Sequence, residues 1–85
     1  MDWKKYGHAL SSTYRQRIVL ALKESPKTPK QMSLELRLHL SHVSSTLKDL
    51  VNNGIVECLT SDLRKGKVYG LTKDGKEIAD KIELS

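Results

Sequence analysis

Between Thr13 and Glu24, "TYRQRIVLALKE" sets Tyr14, Ile18, Ala21 and Leu22 at i, i+4, i+7 and i+8, the spacing that gathers apolar side chains on one face of a helix. Arg15 and Lys23 fall to its side or outside. Pro26, in "SPKTP", forbids continuation of the ladder. A second helix then opens with matched chemistry: Thr28 as N-cap, Pro29 at N1 and Gln31 at N3 make a capping box. Over its short run "PKQMSLEL", Met32 and Leu36 point inward and Leu34 elsewhere. A few turn residues around Arg37 lead to a third helix, in which Val43, Leu47 and Leu50 keep core spacing up to "NNG". There Asn53 or Gly54 takes the left-handed conformation that ends helices.

After Gly54 the period changes. "IVECLT" and "KVYGLT" are strand-like runs joined by the polar "SDLRKG", which predicts a β-hairpin with a basic tip. Thr72 caps a last helix, "KDGKEIADKIEL", with Ile78, Ala79 and Ile82 as its apolar stripe. The predicted class is mainly α with a small β-hairpin, in the order helix, helix, helix, strand, wing, strand, helix: a winged helix-turn-helix over residues 12–85. Residues 1–11 form an N-terminal segment in which Trp3, Tyr6 and Leu10 run on to Tyr14 at helical spacing. It reads as a short helix packed on the core or as an arm for a second copy of the chain, and the pattern leaves both open.

Charge narrows the partners. Fifteen Lys and Arg against ten Asp and Glu give a net +5, and the excess is uneven: residues 1–67 carry twelve basic and six acidic side chains, residues 68–85 three and four. That balance favours a polyanion, nucleic acid before an anionic membrane surface. One cysteine, Cys58, excludes an internal disulfide and a multi-cysteine zinc site. There is no apolar run of membrane-spanning length and no signal-peptide core at the N-terminus, so a soluble, cytoplasmic protein with no membrane partner is expected. Four aromatic residues, none of them Phe, argue against a base-stacking RNA sheet.

The third helix carries the candidate chemistry. With Val43, Leu47 and Leu50 inward, Ser41, Ser45, Lys48, Asp49 and Asn52 fall on the far side, and His42 and Ser44 flank them. Serine is a mediocre helix former, so a serine-rich start does little for the helix itself. Small leading residues do allow close approach to base edges, and Ser, His and Lys can hydrogen-bond to bases or phosphates. Arg64, Lys65 and Lys67 surround Gly66 at the hairpin tip, within reach of a neighbouring phosphate track or the minor groove. Taken singly, a polar helix face that meets water and a charged turn kept for solubility explain each feature as well. Their coincidence beside a tight inter-helix turn favours DNA.

In order along the chain, Val43-Ser44, Leu47, Leu50, Gly54-Ile55-Val56 and the "Tyr-x-Leu-Thr-x-x-Gly" run of Tyr69, Leu71, Thr72 and Gly75 resemble the winged-helix DNA-binding domains of archaeal transcriptional regulators of the MarR and ArsR types. "YRQRIVLAL" is similar to the first helix of that family and "PKTPKQM" to the lead into its second, so the likeness covers about Ser12 to Leu84. The resemblance implies double-stranded DNA binding and transcription regulation through the third helix, about residues 40–53, in the major groove and a wing at about 61–67 on the backbone or minor groove. By position it implies DNA contacts from Ser41, His42, Ser44, Ser45 and Lys48 in the helix, Arg64, Lys65 and Lys67 in the wing, and Thr28 and Lys30 near phosphates. Two positions depart from the pattern. Arg37 stands where relatives often have a turn Gly, and Ser45 where they often have Arg, a strong guanine reader, which shifts expected affinity towards phosphates.

The rival reading is a winged helix used as a protein-interaction module or adaptor subunit, to which Leu34 and the acidic-leaning last helix would contribute. Catalysis is not expected, because His8, His39 and His42 lack a carboxylate or nucleophile constellation. Nor is a cofactor or metal: two histidines three apart and a lone cysteine make an incomplete site. A monomer of this size reads a short footprint, so a homodimer on adjacent half-sites fits selective binding.

Overall fold

The computed structural model describes residues 1–84; Ser85, the last residue of the expected domain, lies outside them. Five helices and one two-stranded sheet follow in the order α1 (Trp3–Leu10), α2 (Thr13–Glu24), α3 (Pro29–Leu36), α4 (Leu40–Asn52), β1 (Val56–Cys58), β2 (Tyr69–Leu71) and α5 (Lys73–Leu84). This is the winged helix layout, with one further helix in front.

The Asp2 carboxylate accepts from the backbone N–H groups of Lys4 and Lys5 and starts α1. The helix packs against α2 and α5. It buries Ala9, with Tyr6 against the core, while Trp3 and Leu10 stay exposed. A small residue permits the closest helix approach, so the large residues of the apolar stripe flank the contact instead of filling it.

Helix α2 is central, touching α1, α3, α4, α5 and β2. Its buried residues are Ile18, Val19, Ala21 and Leu22, whereas Tyr14 is exposed. The expected stripe is therefore corrected at both edges: an element enclosed by several neighbours buries a wide face, and its first turn projects beyond them. The capping box of α3 is present as its sequence suggests. Thr28 N–H donates to Gln31 Oε1 at 2.8 Å, and Gln31 N–H donates to Thr28 Oγ1 at 3.1 Å. Met32 is fully buried and Leu34 exposed.

Only Arg37, Leu38 and His39 separate α3 from α4. Arg37 adopts the left-handed conformation, φ 56° and ψ 47°, and closes α3. The carbonyls of the turn are satisfied from the side: Arg17 donates to Leu36 O at 2.5 Å and Ser33 Oγ to Leu38 O at 2.5 Å. Helix α4 buries Val43, Leu47 and Leu50 in the shared core and ends at Asn53, ahead of Gly54 with φ +70°.

Strands β1 and β2 pair antiparallel, with Val56 opposite Leu71 and Cys58 opposite Tyr69. One further backbone pairing was not legible in the sequence. Lys27 exchanges both backbone hydrogen bonds with Tyr69, at 3.0 and 2.8 Å, so the α2–α3 connection bridges to the outer edge of β2. The Lys27 side chain is buried with its ammonium donating to Ala21 O at 2.8 Å and lying 3.6 Å from Glu35. The hairpin therefore joins the body at both edges, through α4 and through the connection before α3. Helix α5 buries Gly75, Ile78, Ala79 and Ile82. Among the described residues, no helix is long and apolar enough to cross a membrane.

Candidate nucleic-acid interface

Three elements converge on one face: the start of α3, the outer side of α4 and the wing. An open cleft of about 420 Å³ between them is lined by Thr28, Pro29 and Lys30 from α3, Leu40 and Ser44 from α4, Arg64, Gly66 and Lys67 from the wing, and Tyr69. Five of the ten candidate residues thus share one concavity. The cause is local. Tyr69 sits between Cys58 and Lys27 in the sheet, and that pairing brings the base of the wing beside the α3 N-terminus.

A second cleft continues along α4, lined by Ser44, Lys48, Asn52, Cys58 and Tyr69. Cys58 is a free, half-buried thiol in its wall. Burial, and then the neighbouring Cys58, push the Tyr69 phenol up from its ordinary value of 10.0, so it stays a neutral hydroxyl at physiological pH.

Ser41, His42, Ser44, Ser45 and Lys48 are all exposed on α4. Ser41, His42 and Ser45 lie outside both clefts. His42 turns towards α2, where its ring lies on Tyr14 with centroids 4.1 Å apart. Helix α4 starts without a side-chain cap at His39, unlike α1, α2 and α3. Its first turn therefore presents N–H groups without competition from a capping side chain, an arrangement suited to an anion.

In the wing, Leu59 N–H donates to Val68 O at 2.8 Å and Val68 N–H to Thr60 Oγ1 at 2.9 Å, extending the hairpin beyond its strands. The tip turns at Gly66, φ +67°. Arg64 and Lys65 are exposed and Lys67 is half-buried. Among the described residues, no carboxylate pairs with Lys30, Lys48, Arg64, Lys65 or Lys67, whereas Lys5, Arg15, Lys23 and Lys27 are all paired. Cations left without internal partners keep their charge available to an outside anion.

Asp49 corrects the sequence reading. Instead of joining the outer face of α4, its carboxylate turns inward, 2.7 Å from His8 Nε2 and 2.9 Å from Arg15 Nε. Partial burial pushes its pKa up, but the hydrogen bond and charge of His8, and then Arg15, outweigh burial and hold the carboxyl below its ordinary value of 3.8. The only acid in the central part of α4 is thus removed from the face where a phosphate would approach. Tyr14 and Tyr69, both lining or flanking this face, were missed from sequence: Tyr14 occupies a position that the apolar pattern assigns to the interior, and Tyr69 reads only as one residue of a strand-like run.

No family model and no curated protein sequence matches the chain. Its fold matches solved structures. A MarR family transcription regulator superposes with a TM-score of 0.81 at 19% identity, over 95% of this chain and 55% of its own. The adhesin competence repressor AdcR of Streptococcus pyogenes gives 0.78 at 18%, over 86% and 55%. A MarR family regulator from Neisseria meningitidis gives 0.73 at 24%, over 80% and 49%. The fold is therefore the winged helix of MarR family regulators, and the chain spans about half the length of these neighbours.

Proposed function

We propose that the protein is a double-stranded DNA-binding transcription regulator that lays α4 in the major groove and its wing on the adjoining backbone or minor groove. The observation that carries this reading is the convergence of Thr28, Lys30, Ser44, Arg64 and Lys67 around one cleft, with no carboxylate paired to its cations among the described residues. The geometry suits a duplex: the serines of α4 allow close approach, and cations at both margins suit the two phosphate tracks that border a groove. Ser41, His42, Ser44 and Ser45 are the proposed groove contacts, and Thr28, Lys30, Lys48, Arg64, Lys65 and Lys67 the backbone contacts. The Thr28 hydroxyl accepts within its cap, which leaves its proton to donate to a phosphate.

The solved neighbours described as transcription regulators and a repressor support this reading by fold. Kinship with archaeal regulators rests on the sequence motif around Val43-Ser44 and Tyr69–Gly75. Action as a homodimer in the cytoplasm, without a catalytic role, completes the proposal. Titration of labelled random duplex, at several salt concentrations, tests it. Salt-dependent binding that an acidic protein competitor leaves intact supports the reading, and no binding at low salt overturns it. Leu34, 72% exposed on α3, favours the adaptor reading as the alternative in that event.

A further inference from the structure

Most of the polar side chains offered by α4 and the wing are loose. Ser41, Ser44 and Ser45 carry small rotatable hydroxyls, and Lys48 and Arg64 end long flexible stems. His42 is different. Its ring lies against the Tyr14 ring from α2, with centroids 4.1 Å apart and planes inclined by 39°. Both residues are exposed, Tyr14 by 40%. A face contact restricts the imidazole while leaving its edge free. Among the described residues, the ring nitrogens of His42 have no hydrogen-bond partner, in contrast to His8 Nε2 on Asp49. The third residue of α4 therefore presents an imidazole edge, with one N–H donor in the neutral ring, that is held by a ring contact before any ligand arrives.

We propose that His42 is the specificity-determining side chain of α4, and that Tyr14 is its positioning residue. Resting on the DNA-binding reading above, the inference names the feature read: a purine, through a hydrogen bond from the imidazole N–H to N7 in the major groove. N7 is an acceptor on both adenine and guanine, whereas at that place on the major-groove edge a pyrimidine presents C5–H or a methyl group and thymine O4 lies elsewhere, so a donor held in position at N7 favours a purine. Holding the ring in advance reduces the ordering required on binding. This also locates sequence preference in a helix whose Ser45 lacks the guanidinium reach of arginine.

The test is selection from a random duplex pool with the full chain and its His42→Ala, Tyr14→Ala and Tyr14→Phe variants. Affinities are then measured on the selected duplex and on an unselected one. The wild type enriches a motif with a fixed purine. His42→Ala loses that purine and about tenfold in affinity for the selected duplex, with a smaller loss on the unselected duplex, so that the ratio of the two affinities falls. Tyr14→Ala follows in the same direction, and Tyr14→Phe, which keeps the ring, behaves as wild type. A motif and discrimination preserved in both alanine variants overturn the inference while DNA binding stands, as does a wild type that binds duplex without enriching any motif. Absence of all duplex binding removes both readings.

Discussion

A Cβ atom at position 75 would lie 2.0 Å from the carbonyl oxygen of Ile55 and 3.1 Å from its carbonyl carbon. That oxygen is held in place, because Thr72 N–H donates to it at 3.1 Å and Thr72 Oγ1 donates to Gly54 O at 2.7 Å. The same hydroxyl accepts from Gly75 N–H at 3.0 Å, so the start of α5 and the entry to β1 form one closely fitted unit. The glycine of the "Tyr-x-Leu-Thr-x-x-Gly" run is there because backbone meets backbone. Gly75→Ala is expected to lower stability by about 3 kcal/mol, as overpacking against a fixed carbonyl does. Urea unfolding measures it, and a loss below about 0.5 kcal/mol, within the range of surface substitutions, would show that α5 can shift away.

Arg37 carries φ 56°, where a side chain is disfavoured and glycine is not. Arg37→Gly is expected to stabilise the fold by about 0.5–1 kcal/mol, the relief being partly offset by the greater freedom of glycine in the unfolded chain. Thermal unfolding should record an increase of about 3–6 °C for a domain of this size. An unchanged or lower midpoint would show that the arginine side chain compensates for its backbone.

The Asp49 carboxyl, held below its ordinary value, binds protons less readily in the folded chain than in the unfolded one. Its contribution is therefore complete above the unfolded value of 3.8 and is lost as pH falls through the lower folded value. Asp74 adds in the same direction, depressed by the hydrogen bond and charge of Lys5. Asp49→Asn is expected to lower stability by about 1 kcal/mol at pH 7, a modest figure for a partly exposed pair. The gap between wild type and variant should close as pH is lowered from about 5 to 2. Urea midpoints for both proteins across that range decide it, and a gap independent of pH would remove the ionic explanation.

Lys48→Ala and Arg64→Ala should each weaken duplex binding and reduce the slope of log K against log salt by about 0.9, the release expected for one phosphate contact. Lys23 serves as the control, since it is already paired with Asp80 and Glu83 on the α5 side of the molecule. Its alanine variant should leave both affinity and slope unchanged. Unaltered slopes for Lys48→Ala and Arg64→Ala would remove their phosphate roles.

The features legible in the sequence are those that depend on near neighbours in the chain. The Thr28–Gln31 box is complete within four positions. The inward spacing of Val43, Leu47 and Leu50 follows from helical repeat, and the end of α4 before Gly54 follows from the conformational freedom of glycine. Where an element meets several others, the pattern misleads. Tyr14 fits the apolar stripe of α2 but extends beyond its packing partners, and Val19 lies off the stripe yet is fully buried. Asp49 reads as one polar residue among others on α4 until His8 and Arg15 arrive from two other helices.

Local chemistry along the chain thus determined which segments are helix and strand, their order, and the small polar character of the face that α4 turns outward. Tertiary packing alone decided that Lys27 bridges to the edge of the sheet, that the α3 start and the wing share a cleft, and that His42 rests on Tyr14. The reason is the range of the forces involved. Helical repeat, caps and turns act over a few residues, whereas the direction in which a side chain finds a partner depends on segments tens of residues away, brought near only when the common core closes.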